Sequence, residues 1–382
     1  MKPKFLFLFA LQLLLCACQE KNQPTDDVTS ISCSPSTKLV TKADEQFTVT
    51  LKSDAPWSAT TDQPWILLSP KEGQGDAYIT VHVLGGDDGT ANVLFSNSKG
   101  FATLVIKRRL GQLTSEFSVS ASKKIYFSQG NLQYKASTTT WRFAENQYDY
   151  VGDKSNGNVY ENGKKSNNAY ISSSYSGWID LFGWGTGNNP TIATTKDADY
   201  TTFVDWGTNA ISNGGNVPNT WRTLTGEEWN YLFAERVNAS TLFGFGQVNG
   251  VSGLVLLPDN WVAPANVSFT ASTLKGLEYN TAFREYSNEA KNNYSHNTYS
   301  KETWALMESA GAVFLPAARA RHGVSVNDVG GGPGGSYWSS SLRSSSSHLS
   351  ANDLFFSNIY LIYTSSAMTV AGYSVRLVRD FE

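Results

Sequence analysis

Apolar and polar residues alternate with a period of two along residues 46–51, 77–83 and 101–106, the spacing of strands with one face in a core and the other in water. Gly73-Gln74-Gly75 and Gly85-Gly86-Asp87-Asp88-Gly89 punctuate these runs as turns, so residues 31–111 read as a small all-β sandwich. After a junction at 112–116 the pattern becomes mixed. Short strands are expected around Ile125-Tyr126-Phe127 and Trp141-Arg142-Phe143, and two later segments repeat at helical spacing. The first opens on Thr225-Gly226-Glu227-Glu228, where the threonine hydroxyl can accept from a free backbone N–H and Glu228 can reach back. Trp229, Leu232 and Phe233 follow at i, i+3 and i+4 as its inward face. The second, about residues 300–309, sets Trp304 and Met307 on one side and stops at Gly311. Residues 117–382 therefore read as an α+β unit.

Residues 334–380 carry a third pattern. They open on Gly334-Gly335-Ser336-Tyr337-Trp338-Ser339-Ser340-Ser341 and close on Gly372-Tyr373-Ser374-Val375-Arg376-Leu377-Val378-Arg379. Between Ser339 and Tyr373 there is no Lys, Glu, Gln, Trp, Pro or Cys. What remains is Ser, Tyr and Asn among short apolar runs, the rotamer-poor aromatic and small polar inventory of a binding surface of the antibody kind. This stretch is expected to be the ligand-binding face, with Trp338, Ser341, Arg343, Ser345, Ser347, His348, Asn358, Tyr360, Tyr363 and Ser365 as contact residues. Leu354, Phe355, Leu361, Val375 and Leu377 are expected beneath it as core, and Tyr and Arg are the expected energetic anchors.

The start of the chain bears on compartment. Lys2 and Lys4 precede an apolar run over residues 5–15, too short to span a bilayer but suited to the core of a signal peptide. The run ends Leu15-Cys16-Ala17-Cys18, similar to a bacterial lipobox. Residues 1–17 are thus expected to be a cleaved lipoprotein signal peptide. Cys18 is the expected lipidation site, and polar residues 18–30 a flexible tether to the outer membrane at the cell surface. With Cys18 acylated, Cys33 has no partner for a disulfide.

Composition narrows the chemistry. A net charge of −3 with scattered basic residues gives no footprint for nucleic acid. The four histidines, His82, His296, His322 and His348, lack metal spacing, no Gly-x-Ser-x-Gly elbow occurs, and no metal or cofactor is expected. A glycosidase would need two carboxylates across a cleft; Asp149, Asp180, Asp205, Glu227 and Glu228 fall in no recognisable motif. The expectation is a binding protein and not an enzyme.

Two resemblances sharpen this reading. Ala55-Pro56-Trp57 and Pro64-Trp65-Ile66, followed by Leu68-Ser69-Pro70 and Gly73, resemble the BACON domain of Bacteroidetes surface proteins, which implies an immunoglobulin-like β-sandwich over 31–111. Members are often proposed to bind carbohydrate, so Trp57 and Trp65 are either core or a sugar platform. From Phe117 onward, Trp221-Arg222 ahead of the capping box, the Leu-Pro pairs, Tyr337-Trp338-Ser339-Ser340 and the final Val375-Arg376-Leu377-Val378 resemble the C-type-lectin-like fold. The similarity is to its formylglycine-generating-enzyme (sulfatase-modifying-factor) variety, also used by variable proteins of diversity-generating retroelements. That resemblance implies a protein or glycan ligand, variable residues late in the fold, and a buried, paired Arg376. This chain lacks the redox-active cysteines of the enzyme and the Glu-Pro-Asn and Trp-Asn-Asp calcium motifs of typical C-type lectins. The alternative reading is a carbohydrate-binding accessory lipoprotein of a glycan-utilisation system, acting through its BACON-like domain.

Overall fold

The structure, a computed structural model, describes residues 31–272, 294–343, 349–358 and 361–381. It is rich in β-sheet, with few helices. Nine strands come first: β1 (Ile31–Ser34), β2 (Thr37–Val40), β3 (Glu45–Ser53), β4 (Pro56–Thr61), β5 (Ile66–Ser69), β6 (Glu72–Gln74), β7 (Ala77–Val83), β8 (Gly89–Asn97) and β9 (Gly100–Arg108). They form a four-stranded sheet in the order β1-β3-β7-β5 and a five-stranded sheet in the order β2-β9-β8-β4-β6. Alternation dictates the packing: Val49 and Leu51, Ile79 and Val81, Val93 and Phe95, and Leu104 and Ile106 all turn inward into one fully buried cluster.

The remaining strands are β10 (Phe117–Ser118), β11 (Lys124–Phe127), β12 (Leu132–Lys135), β13 (Thr140–Phe143), β14 (Tyr160–Glu161), β15 (Lys164–Lys165), β16 (Phe243–Val248), β17 (Val251–Leu256), β18 (Thr298–Tyr299), β19 (Val313–Pro316), β20 (Ala320–His322), β21 (Ser325–Asn327), β22 (Gly334–Arg343), β23 (Ser350–Ser357), β24 (Leu361–Met368) and β25 (Val378–Asp380). Helix α1 spans Gly226–Asn230 and continues into a π-helical turn at Tyr231–Glu235; α2 spans Lys301–Ser309. The capping box is present, with Thr225 Oγ1 accepting from the Glu228 N–H at 3.1 Å and Glu228 Oε2 accepting from the Thr225 N–H at 2.9 Å. Trp229, Leu232 and Phe233 are buried, as are Trp304 and Met307.

Strands β22, β23 and β24 pair in that order as an antiparallel sheet, irregular between Trp338 and Leu342 and between Asp353 and Phe355. One face, through Tyr337, Leu354, Phe356, Leu361 and Tyr363, joins a cluster with Trp229 and Phe233 from the helix. The other, through Trp338, Ala351 and Ala367, joins a second cluster with Phe182, Trp184, Val375 and Leu377. Covered on both faces, this sheet is an interior layer. Phe355 is only half-buried, while Leu354, Leu361, Val375 and Leu377 are in the core.

The segment 110–113 is packed down. Leu113 belongs to the same core cluster as Trp229, and its N–H donates to the Phe127 carbonyl at 2.9 Å. The Gly85–Gly89 turn reaches across to later residues. Asp88 accepts from the Leu110 N–H at 2.8 Å and from the Arg379 guanidinium, and its own N–H donates to the Gly215 carbonyl at 3.1 Å.

Candidate functional site

The ladder of β22–β24 decides what the late stretch can present. Trp338 and Tyr363, expected at the surface, are in the core. The Trp338 ring is 1% exposed, its Nε1–H donates to the Phe182 carbonyl at 2.7 Å, and its ring lies 4.6 Å from Tyr373. Tyr363 lies stacked with Phe233, 6.3 Å between centroids and 8° between planes. Both corrections have one cause: alternation places successive side chains on opposite faces, and at Trp338 and Tyr363 both faces are covered, one by Phe182 and Trp184 and the other by Trp229 and Phe233.

The remaining expected contacts divide between the two ends of the sheet. Ser341 and Arg343 lie at one end, where Arg343 pairs with Ser350 and Ser350 with Met368. Asn358, exposed, follows the opposite end, where Gly334 pairs with Ser357. Nine residues of strand separate those ends, on the order of 30 Å. They form no single contiguous face. Ser345, Ser347, His348, Tyr360 and the lipidation candidate Cys18 lie outside the described residues.

At the Arg343 end the surface is a mixed rim. Leu342 and Met368 are about half exposed, Arg343 and Ser366 are partly exposed, and Asn352 packs where Gly226 leaves space for it. Ser341 is spent on structure, its Oγ accepting from the Gly226 N–H at 3.0 Å. Ser365 lies opposite Asp353, whose carboxyl is fully buried and pushed up to about 7 by that burial, with the Ser365 and Ser336 hydroxyls opposing the shift. Among the described residues Asp353 Oδ1 lacks a well-formed hydrogen bond. Arg376 is buried, but it is held by neutral oxygens, Gln147 Oε1 at 2.8 Å with Asn131 and Phe314 at 3.4 Å, and forms no ion pair among the described residues. Burial lowers its guanidinium to about 10.

The other candidates are committed elsewhere. Asp180, raised to about 6 by complete burial, accepts from the Val151 N–H and the Asn168 amide. Asp205 accepts from Gly207 and Thr223, and Asp149 from Asn146. Glu228 is clasped by Arg222 at 2.7 and 2.8 Å. Among the described residues no three His, Cys, Asp or Glu groups gather as a metal site. Trp57 is core, 4% exposed, with Gly73 pressed against its indole and Nε1–H donating to the Gly75 carbonyl. Trp65 is half-buried beneath Arg108, whose guanidinium lies 4.1 Å from its ring centre.

A second surface was not expected. The hairpin β14–β15 and the segment 170–177 enclose a groove of about 250 Å³ beside Tyr170, 60% exposed. Its only sequence signal is a cluster of tyrosines and lysines inside a Gly/Asn/Ser-rich stretch, which reads as loop.

No family model matches the sequence, and no curated protein matches it. Among solved structures, part of the chain is similar to a Bacteroides ovatus GH5 xyloglucanase in complex with a XXXG heptasaccharide, at 20% identity and a TM-score of 0.21, over 22% of this chain and 20% of that one. It is also similar to SSP-19, an MSP-domain-like protein of Caenorhabditis elegans, at 12% identity and TM-score 0.19, over 20% of this chain and 97% of the other. WR4, another C. elegans MSP family member, matches at 10% identity and TM-score 0.18, over 21% of this chain and 95% of that chain. This chain thus spans about a fifth of the xyloglucanase.

Proposed function

We propose that this chain is a lipid-anchored surface protein that binds a protein or glycan ligand through loops at the ends of the β22–β24 sheet. In this reading residues 31–111 are a BACON-like, immunoglobulin-like stalk, and residues 117–382 a C-type-lectin-like head of the kind that diversity-generating retroelements vary. One observation supports it: the middle of the sheet is buried on both faces, so within the described part of the stretch the exposed side chains gather at its ends, Leu342 and Met368 with the partly exposed Arg343 at one and Asn358 at the other. Binding residues on loops held by a rigid scaffold are the common arrangement for recognition. The alternative, sugar binding by the stalk tryptophans, is weakened because Trp57 is core and Arg108 covers Trp65.

The test is array binding by the mature chain, followed by Arg343→Ala and His348→Ala variants. At least about tenfold weaker binding is expected where such a rim residue anchors the ligand. Ligand retention in both variants, with loss on Trp65→Ala, would reverse the assignment to the stalk. Resequencing the gene in sister isolates tests diversification, which predicts substitutions concentrated in codons 341–373.

A further inference from the structure

The β14–β15 hairpin turns at Asn162-Gly163, with Asn162 at φ 49° and Gly163 at φ 75°. It stands against the segment 170–177, and the groove between them is lined by Tyr170, Tyr175, Lys164, Lys165, Asn162 and Ser176, with the hairpin's Glu161 at its edge. The two tyrosine rings meet edge to face, 5.9 Å between centroids and 67° between planes. Tyr175 is fixed: its hydroxyl accepts from the Asn167 N–H at 2.9 Å, and Gly177 passes so close that a Cβ there would lie 2.4 Å from the phenol oxygen. Tyr170 is left with its ring largely open to solvent. No aliphatic side chain lines the groove.

Charge is distributed unevenly. Glu161 also lines the groove, but both its oxygens are engaged, one 3.1 Å from Lys135 Nζ and the other accepting from Trp178 Nε1–H at 2.7 Å. Lys164 and Lys165 have no carboxylate partner among the described residues, although Lys165 lies 5.9 Å from the centre of the exposed Tyr160 ring. The groove therefore offers the open ring of Tyr170 beside the part-buried Tyr175, amide and hydroxyl groups, and two ammonium groups without a carboxylate partner among the described residues. A peptide would need an apolar pocket for its side chains, and none is present.

We propose that this groove binds an anionic sugar chain, with Tyr170 and Tyr175 stacking against pyranose rings and Lys164 and Lys165 meeting its carboxylate or sulfate groups. The site is independent of the rim at the ends of β22–β24. Calorimetry on the mature chain would use an oligogalacturonate, a sulfated dextran oligosaccharide, a neutral cello-oligosaccharide and poly-L-glutamate. Binding to at least one of the two anionic sugars is expected, stronger than to the neutral one and weakened by salt. Tyr170→Ala should weaken it about tenfold, the worth of one well-placed aromatic contact. Lys164→Ala combined with Lys165→Ala should abolish the preference for anionic over neutral sugar while Arg343→Ala leaves it intact. Tyr170 and Lys164 are exposed and Lys165 partly so, and thermal unfolding of the groove variants should be little changed. The proposal is overturned by equal binding of neutral and anionic sugars, by poly-L-glutamate binding in place of either sugar, by full retention in both groove variants, or by no binding to any probe.

Discussion

Asp353 sits opposite Trp338 and Ser365 in the ladder, where it is itself buried, and its carboxyl is raised to about 7. An unfolded aspartate ionises near 4, so the native state holds a proton that the unfolded chain has lost between those values. Stability from this group is full below about pH 4 and is lost as pH rises through about 7. The gap corresponds to about 4 kcal/mol at neutral pH and above. Asp353→Asn keeps the shape without the charge. It should therefore be more stable than the parent at pH 8 by up to that amount, converging with it in acid, as read by urea unfolding across pH. A variant that is less stable at pH 8 would show that the carboxylate is satisfied in a way that an Oδ1 lacking a well-formed hydrogen bond does not indicate. Nothing in the local sequence marks Asp353 as buried, because Asn352 and Asp353 read as polar surface until the cover on both faces is known.

Helix α1 shows what local sequence does carry. Its capping box was legible because every partner lies within four residues, and propensity and hydrogen bonding point the same way there. What could not be read is that Glu228 also holds Arg222, which in turn reaches Asp380 on β25 at 2.7 Å. Thr225→Ala removes one cap bond and should cost about 1 kcal/mol, whereas Glu228→Ala also leaves the half-buried Arg222 with one carboxylate fewer and should cost more. Chemical denaturation of the two variants gives the comparison, and equal losses would mean that the long-range pair adds nothing. The same limit explains Trp338 and Tyr363. A two-residue period assigns residues to faces, but it cannot say whether one face or both are covered, since the covers come from far off in sequence, Phe233 on one face and Phe182 and Trp184 on the other.

At the scale of the molecule, the Gly85–Gly89 turn joins the early sheets to the rest of the chain. From sequence it was only a turn. In the structure its Asp88 pairs with Arg379, 291 residues away, and Arg379 in turn lies 4.9 Å from the ring centre of Trp221. Arg379 is 6% exposed, so Asp88→Asn removes one carboxylate from a buried cation and should destabilise the chain. Because that cost falls on the contact between two separately cored regions, calorimetry should show one melting transition become two. A single transition, unshifted, would mean that the pair does not couple them. The alternation along β3, β7 and β9 was enough to read the first region, because each strand buries one face within its own sheet pair; the junction depends on contacts no window of sequence contains.

The segment 372–380 touches nearly every part of the later fold. Tyr373 bridges to Phe182, Ser374 to Tyr337, Val378 to Arg222, and Asp380 pairs with Ile125. Val378 belongs to one of the two large clusters of the later fold, and Val375 and Leu377 to the other, so neither closes without this segment. A chain lacking it should expose Trp and Phe surface of both clusters to proteases. Loss of protease resistance on deletion of residues 372–381 should therefore be all-or-none and not graded with the number of residues removed.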